Sequence, residues 1–264
     1  MINTEDELLL SHCADLLRLC VDNCMLTYSR FLDIRQQSLV YGKFHREAGC
    51  RLFFFGGYDE AERSVAVFVP EIFGIDTADA LSAYFSENEQ DLPIEALSIT
   101  KDRFSQPLSH RDYLGSLMGL GIKREMIGDI IVSENGCLLV AEKKIAGYIA
   151  ENMTSAGRAT LTVQRVPLEK LSAVEAVFEK MFVTVASMRL DAVVGSVFNL
   201  SRAQALEVIG KGAVFVSGIQ CEKPDKRIEI GDKLVLRGKG KVIIESMQGL
   251  NKKGKIRLNA LKYI

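Results

Sequence analysis

The chain is predicted to be an α+β protein in three parts. These are an N-terminal helical hairpin over residues 1–50, a middle α+β domain over 51–170, and a small C-terminal α+β unit over 183–264. Three observations lead there. Apolar residues recur at helical spacing before residue 48; the period then changes to short β-type runs around a polar glycine turn; and from Met188 onward two short helical runs are followed by short strands separated by glycine turns. With 264 residues, 48% of them apolar and 25% charged, the chain is long enough for two or three compact cores.

In chain order, residues 5–28 are expected to form one long amphipathic helix and residues 30–47 a second, joined near Tyr28-Ser29-Arg30, with Phe31-Leu32-Asp33 opening the second. Cys13, Cys20 and Cys24 fall on one face of the first helix. With no C-x-x-C pair among the six cysteines, they read as small buried hydrophobes in a reducing compartment, not as a metal site with His12. Arg35, Lys43, His45 and Arg46 make a basic, solvated end to the hairpin. The acidic start Met1-Ile2-Asn3-Thr4-Glu5-Asp6-Glu7 lacks the positive charge of a signal peptide, and no apolar run reaches membrane-spanning length. The expectation is a cytoplasmic protein with no membrane partner.

Arg51 to Phe55 and Val65 to Val69 read as strands of a hairpin around the polar turn Gly56 to Arg63, stopped by Pro70. Phe53 and Phe55 share one face and Phe54 takes the other, a pattern read as core packing rather than a base-stacking platform. Ala96 to Thr100 is a third strand. Ser109 and Asp112 bracket a helix start, Gly121 ends that helix, and Lys123-Arg124 follows on an exposed turn. Gly128 to Val132 and Cys137 to Val140 form a second hairpin around Glu134-Asn135-Gly136, with a helix from Lys143 to Met153 and a strand from Thr160 to Gln164. This order suits a sheet with helices on one face, as in RNA-recognition folds. His110 and Asp112 invite an acid/base reading, but they are two residues apart, on different faces of a helix. No candidate nucleophile or glycine-rich phosphate loop stands at suitable spacing, and helix capping accounts for Ser109 to Asp112.

In the C-terminal unit, Arg189-Leu190-Asp191 opens an amphipathic run with Leu190, Val193, Val194 and Val197 at helical spacing. Ser201 and Gln204 have the spacing of a capping box, over a helix whose inner face is Ala205, Val208 and Ile209. Arg202 sits in that helix's first turn, beside unpaired amides that attract anions, so the site suits a phosphate. Gly210 and Gly212 end the helix, Ala213 to Val216 is a strand, Ser217-Gly218 and Gly231-Asp232 are turns, and Lys233 to Arg237 is the next strand. The net charge of −1 hides an asymmetry. From Val185 onward there are 15 Lys and Arg against 7 Asp and Glu, a formal +8, and residues 1–184 carry −9. A basic tail on an acidic body is the pattern of a modular nucleic-acid binder.

The motif R-L-D, ten residues to S-R, an apolar helix ending in glycine, then V-x-V-x-G and G-D-x-L-x-L resembles the S-four RNA-binding domain, named after ribosomal small-subunit protein four. F-x-G-G-Y-x-x-A-E-R at Phe54 to Arg63 and H-R-D-Y-L-G-x-L-M-G-L-G-I-x-R-x-x-I-G-D-I at His110 to Ile130 extend the resemblance to the bacterial YlmH family over nearly the whole chain. That resemblance implies an RNA-binding protein of ribosome-associated quality control. Its implied partners are ribosomal RNA, tRNA and the large ribosomal subunit carrying a stranded peptidyl-tRNA, with some relatives linked to cell division. No cofactor, metal, small-molecule substrate or enzymatic activity is expected. By position, the implied RNA surface comprises Arg189, Ser201, Arg202, Gln204, Lys211, Lys223, Lys226, Arg237 and Lys239, with Lys123 and Arg124 as a second contact. Gln204, Ala213 and Ser217 stand where relatives often carry Lys, Arg and Asn, which makes this surface less basic.

A rival reading is an RNA-modifying enzyme of the pseudouridine synthase type. One such group carries its catalytic aspartate in H-R-L-D-x-x-T-S-G, which Met188 to Asp191 echoes. Met188 replaces the histidine and Ala192-Val193-Val194-Gly195 the remainder, so Asp191 is read as a structural partner for an arginine or a backbone amide.

Overall fold

The computed structural model describes residues 4–172, 178–251 and 253–263. The chain falls into two compact units, Met1–Val174 and Glu175–Ile264. The break expected after residue 170 overlaps residues 173–177, which lie outside the described residues.

The first unit begins with helix α1 (Thr4–Asn23), strand β1 (Thr27–Leu32) and helix α2 (Ile34–Phe44). The two helices are therefore not joined directly, as the periodicity implied. Residues 27–32 are a strand because Thr27, Ser29, Phe31 and Leu32 are buried and the segment pairs antiparallel with β3 (Ser64–Pro70). Alternating burial over so short a run satisfies either period, and pairing with a strand far along the chain decides it. Asp33 caps α2 in a reciprocal box with Gln36. Cys24 lies beyond α1 with a left-handed φ of 50°, exposed, whereas Cys13 and Cys20 are buried as expected.

Strand β2 (Cys50–Phe55) completes a sheet of order β1-β3-β2, so the boundary expected at residue 50 runs through one sheet. The three phenylalanines are core residues. Phe54 packs with Phe44 and Phe68 on the helix side, and Phe53 and Phe55 on the other, where the Phe55 and Phe85 rings lie 4.9 Å apart. Helix α3 (Ala78–Glu87), capped by Thr77, supplies Leu81 and Phe85 to that core.

The remainder of the unit comprises β4 (Ile94–Lys101), α4 (His110–Gly119), β5 (Ile127–Ser133), β6 (Gly136–Glu142), α5 (Lys143–Asn152), β7 (Ser155–Ala156), β8 (Ala159–Val166) and α6 (Glu169–Ser172). The sheet order is β5-β6-β4-β8-β7, all antiparallel. Its two faces part by strict alternation. Leu97, Ile99, Leu139, Ala141 and Leu161 meet Tyr113 and Leu117 of α4 and Ala146 and Ile149 of α5. Ile94, Ala96 and Val140 point the other way and pack on Val65, Val67 and Val69 of the first sheet.

The second unit comprises β9 (Phe178–Val185), α7 (Leu190–Val197), α8 (Arg202–Gly210), β10 (Val214–Val216), β11 (Ile219–Gln220), β12 (Lys233–Leu236), β13 (Gly240–Leu250) and β14 (Ile256–Tyr263). The sheet order is β11-β10-β12-β13-β14-β9. Leu190, Val193, Val194 and Val197 of α7 and Ala205 and Ile209 of α8 are buried over Val214, Leu234, Val242, Ile244 and Leu258. Two short helices on a twisted sheet follow the expectation. The ladder of β13, β14 and β9, which makes the sheet six strands wide, was not foreseen, because its polar outward residues break up the apolar runs.

Candidate nucleic-acid interface

The start of α7 is built around one carboxylate. Arg189 Nε donates to Asp191 Oδ1 at 3.0 Å, its Nη2 donates to Oδ2 at 3.2 Å, and the Ala192 amide donates to Oδ1 at 3.0 Å. The Arg189 fork holds the Asp191 carboxyl below the usual aspartate range. Asp191 is 4% exposed, so its charge faces inward while the outer edge of the Arg189 guanidinium meets solvent. Arg202 Nη2 lies 4.0 Å from Asp191 Oδ2 and its side chain is 83% exposed. One buried carboxylate thus gathers two arginines from successive helices, and a cleft of about 470 Å³ lies beside them, lined also by Thr184, Ser187, Ser196 and Leu200.

Ser201 caps α8. The Gln204 amide donates to Ser201 Oγ at 3.2 Å and the Ser201 amide donates to Gln204 Oε1 at 2.9 Å. These two side chains are committed to the cap, and their contribution is to aim Arg202. Asn199, with a φ of 52°, makes the sharp corner before them, and the Leu200 amide donates to the Gly195 carbonyl at 2.8 Å.

The loop that carries Lys223 and Lys226 is fastened to the same corner. The Leu190 amide donates to the Lys226 carbonyl at 2.8 Å, the Asp191 amide to the Pro224 carbonyl at 3.0 Å, and the Ile228 amide to the Met188 carbonyl at 2.8 Å. Arg189 pairs as an isolated bridge with Arg227. Lys223, Lys226 and Arg227 are exposed. Arg227 was absent from the sequence reading, although it is the second half of a Lys-Arg pair following Pro224-Asp225, which is itself a turn signal.

Lys211, Arg237 and Lys239 gather at the far end of α8, about 13 Å away at 1.5 Å per residue. The Arg237 amide donates to the Ala213 carbonyl at 3.0 Å, which brings the turn after β12 beside the end of the helix. Lys211 is paired with Glu207 one turn back on α8, which reduces its free charge.

In the first unit, Lys123 is exposed but Arg124 is only half-exposed. Its Nη1 donates to the carbonyls of Ile127 at 2.8 Å and Gly128 at 2.9 Å, and burial lowers its pKa to about 10. Beside it the Arg63 guanidinium donates to the carbonyls of Ile127, Phe31 and Arg124, while Asp129 accepts from Tyr58 Oη at 2.8 Å and from the amides of Glu62 and Arg63. Tyr58, Arg63, Arg124 and Asp129 all belong to the sequence motifs of this segment. Their arrangement binds the glycine turn after β2 to the start of β5. Asp112 accepts from both the amide and the hydroxyl of Ser109 at 2.7 Å, the capping role expected of it. Burial and neighbouring Arg124 push the His110 imidazole pKa down.

A family model described as "Putative RNA-binding domain in YlmH" matches residues 88–170, the segment from the end of α3 into α6. The chain is 32% identical over 242 residues to the ribosome-associated protein quality control protein P2 of Bacillus subtilis (strain 168), covering 91% of this chain and 89% of that protein. The structure of the cell division protein ylmH from Streptococcus pneumoniae aligns with a TM-score of 0.51 at 17% identity, over 64% of this chain and 96% of that one, and shows a shared fold. The chain belongs to the YlmH family.

Proposed function

We propose that this protein is a cytoplasmic, non-enzymatic RNA-binding factor of ribosome-associated quality control. In this reading its C-terminal unit is an S-four-type domain that grips RNA on the large ribosomal subunit carrying a stranded peptidyl-tRNA. The observation that carries the proposal is the pair Arg189 and Arg202 beside the buried Asp191, within the C-terminal 80 residues whose formal charge is +8. Two guanidinium groups beside a cleft at a capped helix start, one forked onto Asp191 and the other reaching into solvent, suit the phosphates of structured RNA. The printed name of the Bacillus subtilis relative supports the ribosomal setting.

The pseudouridine synthase alternative needs an aspartate free to act on a base. Both oxygens of Asp191 are engaged by Arg189 and one of them also by the Ala192 amide, which favours a structural role. The test is binding of the full chain to ribosomal RNA fragments across a salt series. Phosphate contacts release counterions, so affinity falls steeply with salt, and Arg202→Glu lowers it well beyond Lys43→Glu, an exposed position of the first unit. Salt-independent binding, or equal effects at both positions, overturns the proposal.

A further inference from the structure

We propose that the loop between β4 and α4 is a base-stacking finger in which Phe104 receives an unpaired RNA base while Arg103, Arg111 and Arg158 hold its neighbouring phosphates. This rests on the RNA-binding reading above and adds a second contact on the other unit of the chain.

Phe104 is 98% exposed, the most exposed large hydrophobic side chain of the described residues. Its exposure is built into the loop. The Asp102 carboxylate accepts from the amides of Phe104 and Ser105 at 3.0 Å, from the Ser105 hydroxyl, and from the Thr160 amide at 3.1 Å. In return the Asp102 amide donates to the Thr160 carbonyl at 3.0 Å, and Lys101 Nζ donates to the Ser105 carbonyl at 2.8 Å. The loop is thereby locked to β8 with its aromatic ring pointing outward, at a position where an apolar core would otherwise claim it.

The surrounding charge is equally specific. Arg103 precedes the ring, and Arg111 stands in the first turn of α4. Arg158 lies in the β7–β8 turn, which comes up to the loop where a Cβ on Gly157 would sit 4.0 Å from Leu108. All three arginines are exposed, and none has a carboxylate partner among the described residues. Arg18, Arg30, Arg51 and Arg165 of the same unit are each paired with one. On a body of formal charge −9, three arginines without a carboxylate partner, on the loop of an outward aromatic ring and on the helix start and turn that adjoin this loop, are the combination that binds single-stranded nucleic acid, a π-face for the base and guanidinium groups for the backbone.

The alternative surface on this domain is unsuited to the task. One half of the sheet face opposite α4 and α5 is covered by the first sheet, through Ile94, Ala96 and Val140. The other half presents Ser98 across from Gln164 and Thr100 across from Thr162. No aromatic residue lies on that face, so bases have nothing to stack on there, and the loop at the sheet's end offers what the face lacks.

The chain contains no tryptophan, so Phe104→Trp in the full chain installs a single indole reporter that keeps a stacking surface. The probe is a labelled RNA hairpin with an unpaired loop, compared with a fully paired duplex of equal length and with anionic lipid vesicles. The proposal predicts that the hairpin quenches the indole and the duplex does not. It also predicts that Phe104→Ala weakens hairpin binding by about tenfold, as for loss of one stacked base, while Phe104→Trp retains it. Hairpin binding seen by anisotropy with a silent indole and an unchanged Phe104→Ala affinity overturns the finger and leaves the C-terminal RNA reading intact. An indole that responds to vesicles and not to RNA overturns it in favour of a membrane contact. Absence of any RNA binding by the unaltered chain overturns both readings.

Discussion

Arg189 and Asp191 clasp each other across a single residue at the start of α7, with Nε to Oδ1 at 3.0 Å and Nη2 to Oδ2 at 3.2 Å. A carboxylate 4% exposed that gathers an arginine fork and a backbone amide acts as an organising centre. The R-L-D motif is thereby explained as architecture, and in the proposed reading the charge offered to RNA is carried on the arginines around it.

The first prediction follows from that centre. Asp191→Asn removes the charge and one acceptor while leaving volume unchanged, and is expected to cost about 1–3 kcal/mol at neutral pH. Arg189 depresses the folded carboxyl below its unfolded value of about 3.9. The stabilisation is therefore complete above that value and is lost as pH falls toward the folded value. Urea unfolding of both proteins at neutral and at strongly acid pH checks this: the difference closes on acidification. Assayed on ribosomal RNA and tRNA, the native chain yields no pseudouridine, and product that disappears in Asp191→Asn would reverse the ranking of the two functions.

A second prediction separates aim from grip at α8. Ser201→Ala removes the cap and costs about 1 kcal/mol of stability, whereas Arg202→Glu, at an exposed site, changes stability by less than about 0.5 kcal/mol. RNA affinity shows the reverse order, with Arg202→Glu the more damaging. Thermal melts and a binding titration on the same two variants measure both effects.

The third prediction concerns the first unit. Arg124→Ala takes one donor from the Ile127 carbonyl, which keeps Arg63 Nε, and the side-chain donor from the Gly128 carbonyl, and is expected to destabilise by about 2 kcal/mol, while Lys123→Ala is close to neutral. Chemical denaturation distinguishes them. If any ribosome contact is made at this turn, Lys123→Glu reports it without unfolding, and Arg124 is unsuitable as a surface probe.

The legibility of the chain was uneven for physical reasons. Ser201 with Gln204, Ser109 with Asp112, and the Ser217-Gly218 turn were readable because each is a local device whose partners lie within three residues. The strand Thr27–Leu32 was not, since it is fixed by pairing with Ser64–Pro70 and its own pattern is ambiguous. Lys123 and Arg124 look alike in sequence as an exposed basic pair. Only the close approach of β5 turns one inward, and Arg63 and Asp129, far apart in the chain, complete the same network. In the candidate interface, Arg189 and Arg202 were visible through their motif. Phe104 was overlooked because an isolated phenylalanine in a polar loop carries no periodicity, and its exposure follows from the hydrogen bonds of Asp102.

The central claim is that the chain recognises a composite ribosomal surface. Weak contacts on one rigid particle add through effective concentration, so the proposal predicts that a large subunit carrying peptidyl-tRNA holds the protein more tightly than either RNA alone. The direct measurement is gradient sedimentation of the full chain with large subunits bearing peptidyl-tRNA, with intact translating ribosomes and with vacant small subunits. The account predicts comigration chiefly with the first, abolished by Arg202→Glu. Equal recovery on vacant small subunits, or sedimentation only as free protein beside abundant stalled large subunits, would contradict it.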